Sequence, residues 1–547
     1  MGGAPGAAQY GAAAAGDLAH VSLVIPTRGR PEILAGALRA LAFQDARGFE
    51  VILVGDAPEL PCPPPARRLL RLPCPAPNVS AARNIGAAAA EGAVIAFLDD
   101  DAIPEPGFLA ALAAPFADPR VGLVGARVRG WNGLSEEAPP AWVDGAARTH
   151  PIAPAAPFTQ SPFTQSLFTL APPHRAPAII GAAHAVRAAA LAAAGGYDEG
   201  FAYYLDETDL ALRLAALGWT GGFALGAEAQ HLRAASAIRR SDRTPLSLSV
   251  IGRSYARFLA RHCPEAERGA ALARFRAGRR RALLEAMETG RLEPGRVKPL
   301  LAELDSGLAA GVGGTGPRPL QFRASGVENS APRRTRPMVA RGAAQPRGAA
   351  PAHPAAAPRT PLHAAPDRPA EGIILHGPAA DLPALSRIAA TLARGGRIVT
   401  LLDLRASLRP LRLRFDESGA WVHRGGLWGM AERDRPRPRL SRAARLSREL
   451  ARIAERRPAQ LLLAPAYALR GAPAPTGDAA PQPLAPAAIP PDIARTLAAE
   501  PSLARRNYVV VRGGRPLHAA LHITAQAAPA PRQFFERTGP SAPARSA

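Results

Sequence analysis

The sequence of 547 residues lacks the features that mark several large protein classes. It has only three cysteines, Cys62, Cys74 and Cys263, and their spacing fits neither a disulfide framework nor a zinc site. No run of about 18 apolar residues argues for a transmembrane helix. Residues 1–17 are rich in Ala and Gly but lack the basic start and apolar core of a signal peptide. These absences predict a protein of a reducing, cytoplasmic compartment, either soluble or peripheral to a membrane.

Lysine is nearly absent, since Lys298 is the only one, whereas arginine is abundant. The chain carries 67 basic and 44 acidic residues, a formal net charge of +23. Such an excess is typical of nucleic-acid-binding proteins, but residues 18–260 hold 21 Arg and 21 acidic residues and are neutral. The excess therefore lies in the rest of the chain. We expect no nucleic-acid partner and leave open a peripheral contact of the basic half with the inner face of a membrane.

Residues 93–109 give the clearest functional signal. The apolar run 94–98 is of the kind that a parallel sheet buries on both faces, and Asp99, Asp100 and Asp101 follow it at once. Ligands of open α/β sheets bind at the carboxyl ends of strands, and in an extended chain Asp99 and Asp101 would point to the same side. The pattern predicts an oxygen site for a divalent cation that also binds phosphate, with a solvated acidic turn as the alternative.

The segments before this strand alternate between strand and helix. Residues 21–25 and a run that ends near Asp56 are predicted strands, and they enclose a helix that begins at Pro31. Two strands around one helix form a right-handed unit of a parallel sheet. The proline-rich segment 61–77 is predicted to be a connection, and Ser80 is predicted to cap the helix that follows it.

A second acidic group opens a predicted helix near residue 206. Asp206, Glu207 and Asp209 lie in its first turn, where carboxylates complement the helix dipole. Asp209 is the best candidate for the helix cap. The other two acids are more than the helix dipole requires, so one of them is available for a catalytic role. His231 follows the next predicted strand, and both a metal-ligand role and an ordinary surface or core role are open for it.

Taken in order, these segments resemble the family 2 glycosyltransferases of the GT-A fold, and among them bacterial enzymes of the rhamnosyltransferase type. The resemblance covers about residues 18–262. It rests on Pro26-Thr27-Arg28 and Gly55-Asp56 at two strand ends, on Asn78 and Ser80 before Ala82-Arg83-Asn84-Ile85-Gly86, on the three aspartates, and on the motifs at 195–199 and 206–210 with Arg213 and Gly218. It implies an α/β, nucleotide-diphospho-sugar transferase fold with a mostly parallel sheet flanked by helices.

The resemblance also implies roles for single residues. The positions matched to the nucleotide site, for base, ribose or diphosphate, are Thr27, Arg28, Asp56, Arg83, Asp99 and Asp100. Asp99 and Asp101 match the DXD motif, which holds Mg²⁺ or Mn²⁺ on the diphosphate of a nucleotide sugar, and His231 falls near a position that supplies another metal ligand in some members. Glu207 falls where the general base stands, with Asp206 beside it.

The chemistry of sugar transfer agrees with these roles. A divalent ion stabilises the charge that develops on the departing diphosphate, and a carboxylate takes the proton of the acceptor hydroxyl. We therefore expect a metal-dependent, inverting glycosyltransferase that moves a sugar from a nucleoside-diphosphate sugar to a hydroxyl of a glycan or lipid-linked acceptor. One alternative is a non-catalytic nucleotide- or glycan-binding protein on the same fold. Another is a nucleotidyltransferase, for which residues 26–30 form a poor glycine-rich loop.

Three positions depart from the family pattern. The order Asp206-Glu207 stands where Glu-Asp is common, so the identity of the base stays open. Gly55 replaces the first acid of a pair at the end of the second strand. An Asn commonly follows the glycine matched by Gly181, and residues 182–184 here are Ala-Ala-His, so we expect the contacts to the acceptor to differ.

Composition and periodicity predict how the rest of the chain is organised. A helical extension, a disordered linker rich in Gly, Pro, Ala and Arg, and a second, small α/β domain of unknown role follow the glycosyltransferase domain. The predicted segments are a disordered 1–17, the glycosyltransferase domain 18–262, the extension 263–305, the linker 306–370, the small domain 371–525 and a disordered tail 526–547. The tandem Phe-Thr-Gln-Ser echo at 158–170 is predicted to be a loop or hairpin.

Overall fold

The computed structural model describes residues 18, 20–152, 166–167, 172–311, 372–404 and 411–425, and beyond them 446, 449–450, 452–453, 456–457, 461–465, 482–483, 490–500, 503 and 508–512. The predicted tails 1–17 and 526–547 and most of the tandem echo lie outside this set. The same holds for the predicted linker, except for residues 306–311.

The first sheet contains nine strands among the described residues, and the strand with the acidic tip lies near its middle. Side by side they are β3 (Arg68–Leu72), β2 (Glu50–Gly55), β1 (Val21–Thr27), β4 (Val94–Leu98), β11 (Ala183–Arg187), β6 (Val121–Arg129), β12 (Thr220–His231) and β5 (Ala102–Pro104), with β9 (Ser166–Leu167) paired to β12. The strands β3, β2, β1, β4, β6 and β12 run in one direction, and β11, β5 and β9 run against them. This arrangement confirms the predicted α/β fold with a mostly parallel sheet.

Helices cover both faces of this sheet. They are α1 (Pro31–Leu41), α2 (Val79–Ala89), α3 (Phe108–Ala113), α4 (Ala188–Ala193), α5 (Asp206–Ala216) and α6 (Ser249–His262), followed by α7 (Glu265–Glu288) and α8 (Pro294–Ala310). A small antiparallel sheet of β10 (Arg175–Pro177), β7 (Ala141–Asp144) and β8 (Thr149–Pro151) lies beside them. None of the helices in the described part of the chain is long and apolar enough to cross a bilayer.

The strand β4 shows why the apolar run forms a central strand. All five of its residues are buried. Ile95 and Phe97 pack into the core formed with α2 and α5, whereas Val94, Ala96 and Leu98 pack into the core formed with α1 and α3. Because successive side chains of a strand face opposite sides, burial on both faces requires an unbroken apolar run, as the sequence has here.

The second sheet is built from the last part of the chain. Its strands, side by side, are β15 (Arg412–Phe415), β16 (Trp421–Arg424), β14 (Val399–Asp403), β13 (Ile373–His376), β17 (Leu461–Pro465), β19 (Tyr508–Arg512) and β18 (Gln482–Pro483), and its helices include α9 (Leu382–Arg394) and α10 (Pro491–Ala498). The predicted second α/β sheet is therefore confirmed. The sequence patterns did not indicate the hairpin of β15 and β16, whose strands have only four residues each.

Three local predictions were wrong. The proline-rich segment 61–77 contains the edge strand β3, which pairs with β2. The cap of α2 is Asn78, whose side chain accepts a hydrogen bond from the Ala81 amide at 3.0 Å, whereas the Ser80 hydroxyl donates to the Phe201 carbonyl. The helix predicted to end at residue 305 extends to 310.

Candidate active site

The topology brings the acidic and polar motifs to one edge of the first sheet. The strands β1, β2, β4 and β12 run in one direction, so their carboxyl ends lie at the same edge. That edge carries Thr27, Gly55, Asp99 and His231. The strand β11 runs the other way, so Gly181, just before it, also lies there.

The three aspartates form a turn rather than the extended segment expected from their spacing. The Ala102 amide donates to the Asp99 carbonyl at 3.0 Å. The carboxylate of Asp100 is fully buried and accepts hydrogen bonds from the Thr27 hydroxyl at 2.8 Å and from the Arg30 guanidinium at 2.5 Å. Burial raises the pKa of Asp100 to about 7, although Arg30 and Thr27 oppose the shift. Asp100 therefore ties the turn to the loop after β1.

Asp99, Asp101 and His231 form a cluster that could hold a metal ion, with one ligand atom of each lying within 4.8 Å of the others. The pairing of β12 with β5 sets His231 beside Ala102, so its Nε2 lies 3.4 Å from Oδ1 of Asp101. Burial alone would raise the pKa of Asp101, but His231 and Arg30 outweigh it and hold that pKa at about 2. Burial raises the pKa of Asp99, against the effect of Arg83.

The imidazole of His231 is oriented for metal binding. Its Nδ1 lies 2.7 Å from a carboxylate oxygen of Glu137 and must donate, because an ionised carboxylate only accepts. The buried Nε2 lies near Oδ1 of Asp101 but has no hydrogen-bond partner among the described residues, and in the neutral imidazole it carries the lone pair that a cation would bind. A carboxylate behind a ligating histidine is a common outer shell of protein metal sites. Two carboxylates and one bare imidazole nitrogen fit a divalent cation.

Arg83 connects this cluster to the acids of α5. Its buried guanidinium donates to Asp206, to the Gly181 carbonyl at 2.8 Å and to Asp99 at 3.3 Å. Burial would lower the pKa of Arg83, but Asp206, Tyr197 and Asp99 outweigh it and raise that pKa. The acidic tip of β4 and the first turn of α5 therefore face each other across one arginine.

Glu207 lies beside this arginine and is less engaged than its neighbour Asp206. A β-carbon added at Gly181 would stand 3.3 Å from Oε2 of Glu207 and 3.2 Å from Nη2 of Arg83, so the three groups converge. The Glu207 carboxylate accepts a hydrogen bond from the Thr208 hydroxyl at 3.1 Å. Burial and the charge of Asp206 raise the pKa of Glu207 to about 8, against the effect of Arg83.

The backbone that leads into α5 is strained. Tyr204 and Leu205 have φ values of 77° and 65°, in the left-handed region that side chains other than glycine rarely adopt. Such strain persists only where the surrounding structure fixes it, and it is frequent at functional sites. Here it sets the direction in which Asp206 and Glu207 leave the chain.

Asp209 is not the cap of this helix. The residue at the cap position is Leu205, which makes no side-chain capping bond. The fully buried Asp209 carboxylate instead accepts hydrogen bonds from Arg213 at 2.8 Å, Arg261 at 2.6 Å and His262 at 2.8 Å. Two of these partners belong to α6, so Asp209 joins α5 to α6.

The residues matched to the nucleotide base and ribose lie at the ends of β1 and β2. The Asp56 carboxylate accepts hydrogen bonds from the Gly29 amide at 2.9 Å, and Arg28 is exposed beside them. Gly55 has a φ of 138°, and a β-carbon there would collide with the Thr27 carbonyl oxygen, so no side chain fits where the family commonly has an acid. Arg83 lies apart from this group, between Asp99 and Asp206.

The third departure from the family pattern concerns residues 182–184. Their side chains are all buried, and the His184 ring stacks on Phe97 and contacts the Tyr197 hydroxyl at 2.5 Å. These side chains belong to the core, so they give no support to the expected difference in acceptor contacts.

Comparisons with known proteins agree with this geometry. Residues 22–192 match the sequence model of Glycosyl transferase family 2. This segment is a family 2 glycosyltransferase domain. The matched range includes the candidate nucleotide residues and the three aspartates, whereas Asp206, Glu207 and His231 lie beyond it. The expected family is thus confirmed for this segment, and the comparisons do not support the rhamnosyltransferase type.

Two proteins to which part of this chain is similar are named pre-mycofactocin glycosyltransferase and come from the CDC 1551 / Oshkosh and H37Rv strains of Mycobacterium tuberculosis. Each is 35% identical over 116 residues, which are 20% of this chain and 23% of the relative. The alignment thus spans less than a quarter of the relatives' length.

Solved structures that resemble the chain include GalNAc-T7 with UDP, GalNAc and Mn²⁺, at 18% identity and a TM-score of 0.33 over 44% of this chain and 47% of that one. S. aureus TarS 1-349 in complex with UDP-GlcNAc has 17% identity and a TM-score of 0.31 over 53% and 89%. TM-scores this low support no statement about this chain.

Two residues of the glycosyltransferase domain that contribute to the site were not singled out from the sequence. Arg30 binds Asp100 and lies 3.5 Å from Asp101, and its position in the loop after β1 was a usable signal. Glu137 orients His231 and also pairs with Arg233 and Arg243. Glu137 belongs to a segment without periodicity, so no sequence signal pointed to it.

A cavity of about 820 Å³ lies elsewhere in the glycosyltransferase domain. Its lining includes Asp144, Pro177, Trp219 and His262, and it contains none of the predicted site residues. The candidate site is therefore defined by the convergence of charged groups at the sheet edge and not by this cavity.

Proposed function

We propose that this chain is a metal-dependent, inverting glycosyltransferase that moves a sugar from a nucleoside-diphosphate sugar to a hydroxyl of a glycan or lipid-linked acceptor. The observation that carries the proposal is the bridge made by Arg83, which joins Asp99 of the cation cluster to Asp206, next to Glu207. A cation site and a base on one sheet edge are what the reaction needs.

Asp99, Asp101 and His231 would hold the cation. When bound, a divalent ion neutralises the charge that develops on the departing diphosphate. Mg²⁺ takes mainly oxygen ligands, so the nitrogen of His231 favours Mn²⁺ over Mg²⁺. Arg30 and Glu137 keep Asp101 and His231 in place.

Glu207 would act as the general base and Asp206 as the group that positions Arg83. The acceptor oxygen attacks the anomeric carbon as the bond from that carbon to the diphosphate oxygen breaks, and Glu207 receives the hydroxyl proton. A base on the face opposite the leaving group produces inversion. A carboxylate whose pKa is raised towards the working pH is a better proton acceptor than an ordinary one, and Glu207 has this property.

Thr27, Arg28 and Asp56 would contact the nucleotide's base and ribose. Asp100 would support this group through the hydrogen bond that it accepts from the Thr27 hydroxyl. We also propose a division of the chain into segments. Residues 18–262 would form the transfer domain, a helical extension would follow it to about residue 310, and residues 371–525 would form the domain that contains the second sheet. A peripheral contact of the basic half with the inner face of a membrane would bring a lipid-linked acceptor to the site.

Release of nucleoside diphosphate from a panel of nucleotide sugars, with Mn²⁺ or Mg²⁺, tests the proposal. The acceptor panel includes glycans, lipid-linked sugars and pre-mycofactocin, the last because of the name of the two relatives. Turnover by the natural protein that is lost in Asp101→Ala is the expected result. Nucleotide binding without turnover of any donor would contradict it and favour a non-catalytic binding protein.

A further inference from the structure

Two consecutive arginines of the second half of the chain reach into the glycosyltransferase domain. Arg457 is 1% exposed at its side chain and binds Glu105 through two hydrogen bonds of 2.6 and 2.7 Å. Arg456 is also buried and pairs with Glu228 at 2.8 Å. Buried charges are retained where they are paired, and both pairs join residues more than 200 positions apart in the sequence.

The two glutamates lie at one end of the short ladder that carries the cation cluster. The strands β5 and β12 pair through Ala229 with Pro104, Gln230 with Ile103, and His231 with Ala102. At one end the Glu105 amide donates to the Glu228 carbonyl at 2.9 Å, and at the other end Asp101 and His231 face each other. Two residue pairs, Ala229 with Pro104 and Gln230 with Ile103, lie between the arginine contacts and the pair that contains His231.

The second sheet also holds this ladder at its middle. The side-chain amide of Gln230, the neighbour of His231, donates to the Leu413 carbonyl of β15 at 2.8 Å. The Leu413 amide donates to the Asn132 carbonyl at 2.9 Å. Aromatic contacts of Phe43 with Trp421, at 5.4 Å between ring centres, and with Phe415 extend the contact.

The orientation of Arg457 is fixed from the side of the second sheet. It donates to Nε2 of His423 at 3.0 Å, and Nδ1 of that ring lies 2.8 Å from the Glu449 carboxylate. Its guanidinium also lies over the Trp421 ring at 4.8 Å. Because these contacts fix the Arg457 guanidinium, its two hydrogen bonds also fix the position of the Glu105 carboxylate.

We propose that Arg456 and Arg457 are positioning residues of the cation site, through which the second sheet clamps the β5–β12 ladder. The strand β5 has only three residues and lies at the end of the sheet path, where pairing is weakly supported. The clamp keeps β5 in register with β12 and so keeps Asp101 and His231 at the spacing that one cation needs. This inference rests on the proposed function, because it concerns the same cation site.

Direct measurement of Mn²⁺ binding to the full chain tests the clamp. Free Mn²⁺ is followed by electron paramagnetic resonance in titrations of the natural protein, Arg457→Met, Arg457→Lys and the double variant Glu105→Gln/Arg457→Met. Changes to groups that hydrogen-bond a metal ligand cost about 10- to 100-fold in metal affinity, and because Arg457 acts one step further from the ligands we expect a loss of about the lower value for Arg457→Met. Arg457→Lys keeps the charge and should recover part of the affinity.

Arg397→Met is the matched control. Arg397 also forms a two-point pair, with Asp492, but within the second sheet and away from β5. It should leave the Mn²⁺ affinity unchanged even if the melting temperature falls. Each titration is made below the melting temperature of that variant, so a merely structural role would not change the affinity.

The outcomes separate the inference from the proposed function. If Arg457→Met and the double variant fold and bind Mn²⁺ as tightly as the natural protein, while His231→Ala loses binding, the clamp is wrong and the cation site stands. If the natural protein does not bind Mn²⁺, or His231→Ala binds it equally well, both ideas are wrong. The double variant covers a failure of Arg457→Met to fold, because it leaves no unpaired buried charge.

Discussion

The molecule contains two α/β sheets whose strand ends carry different kinds of polar group. At the edge of the first sheet, Asp99, Asp101 and His231 converge, and the Nε2 of His231 has no hydrogen-bond partner among the described residues. In the second sheet, Asp403 at the end of β14 accepts a hydrogen bond from Arg424 on the neighbouring strand. The polar groups at the edge of the first sheet can therefore bind a ligand, whereas Asp403 in the second sheet is paired with a residue of the same sheet.

Two similar sheets can thus have different roles, depending on where their charged side chains form ion pairs. Two buried charged groups of the second half of the chain, Arg456 and Arg457, bind glutamates that belong to or flank strands of the first sheet. On this basis the second sheet supports the first.

The largest effect is expected from Asp101→Ala. Loss of a cation ligand removes several kcal/mol of charge stabilisation, which corresponds to a fall in turnover of about 10³-fold or more. Steady-state release of nucleoside diphosphate measures it. Asp118→Ala, which removes a surface acid paired with Arg120, is the matched control and should keep full turnover. Equal rates for the two variants would contradict the assignment of the first edge.

Glu207→Gln should lower turnover by about 10²- to 10⁴-fold, the usual contribution of a general base. The change keeps the size of the side chain and removes its proton affinity, so Mn²⁺ binding should persist. Single-turnover kinetics with saturating donor separate the chemical step from binding. A loss seen for Asp206→Asn and not for Glu207→Gln would assign the base to the other acid.

The pH dependence of turnover should follow Glu207. Its pKa is raised to about 8, so the carboxylate is mostly protonated at neutral pH and becomes a proton acceptor as the pH rises. A nearby cation lowers a carboxylate pKa, so turnover should rise with pH to a midpoint at or below about 8. Glu207→Asp should keep this rise at a lower rate. A rise of the same size in Glu207→Gln would show that another group titrates.

A smaller effect on chemistry and a clear one on stability are expected from Arg457→Met. Removing one partner of a buried ion pair costs about 3–5 kcal/mol of unfolding free energy, and Glu105 is left buried without its partner. Urea denaturation measures the loss. Arg387→Met, in an exposed pair with Glu500 of the same sheet, should show no measurable change. Equal stability of both variants would mean that the two sheets do not depend on this pair.

The elements that could be predicted are those whose signal is local. The apolar run of β4 and the strands β13, β14, β17 and β19 are indicated by composition within a few residues, whereas the turn of the three aspartates was expected to be extended. The edge strand β3 was missed because prolines flank it and its residues are only partly buried.

The site was less predictable because its partners lie far apart in the sequence. The role of Asp209 depends on Arg261 and His262, about 50 positions away, and a helix-dipole argument cannot include them. The role of Glu105 depends on Arg457, 352 positions away. The candidate residues themselves could be named from their order, but which of them pair, and which stay open, is decided by tertiary contacts.

The backbone before α5 has a consequence for engineering. Tyr204 and Leu205 each hold a left-handed conformation that costs on the order of 1–3 kcal/mol. A glycine at position 205 would remove that cost, but it would also remove the buried Leu205 side chain from the core, and truncating a buried leucine costs about 2–5 kcal/mol even when alanine replaces it. Relief of the strain therefore does not stabilise the protein, and a screen for heat resistance should retain leucine at this position together with the backbone conformation that precedes Glu207.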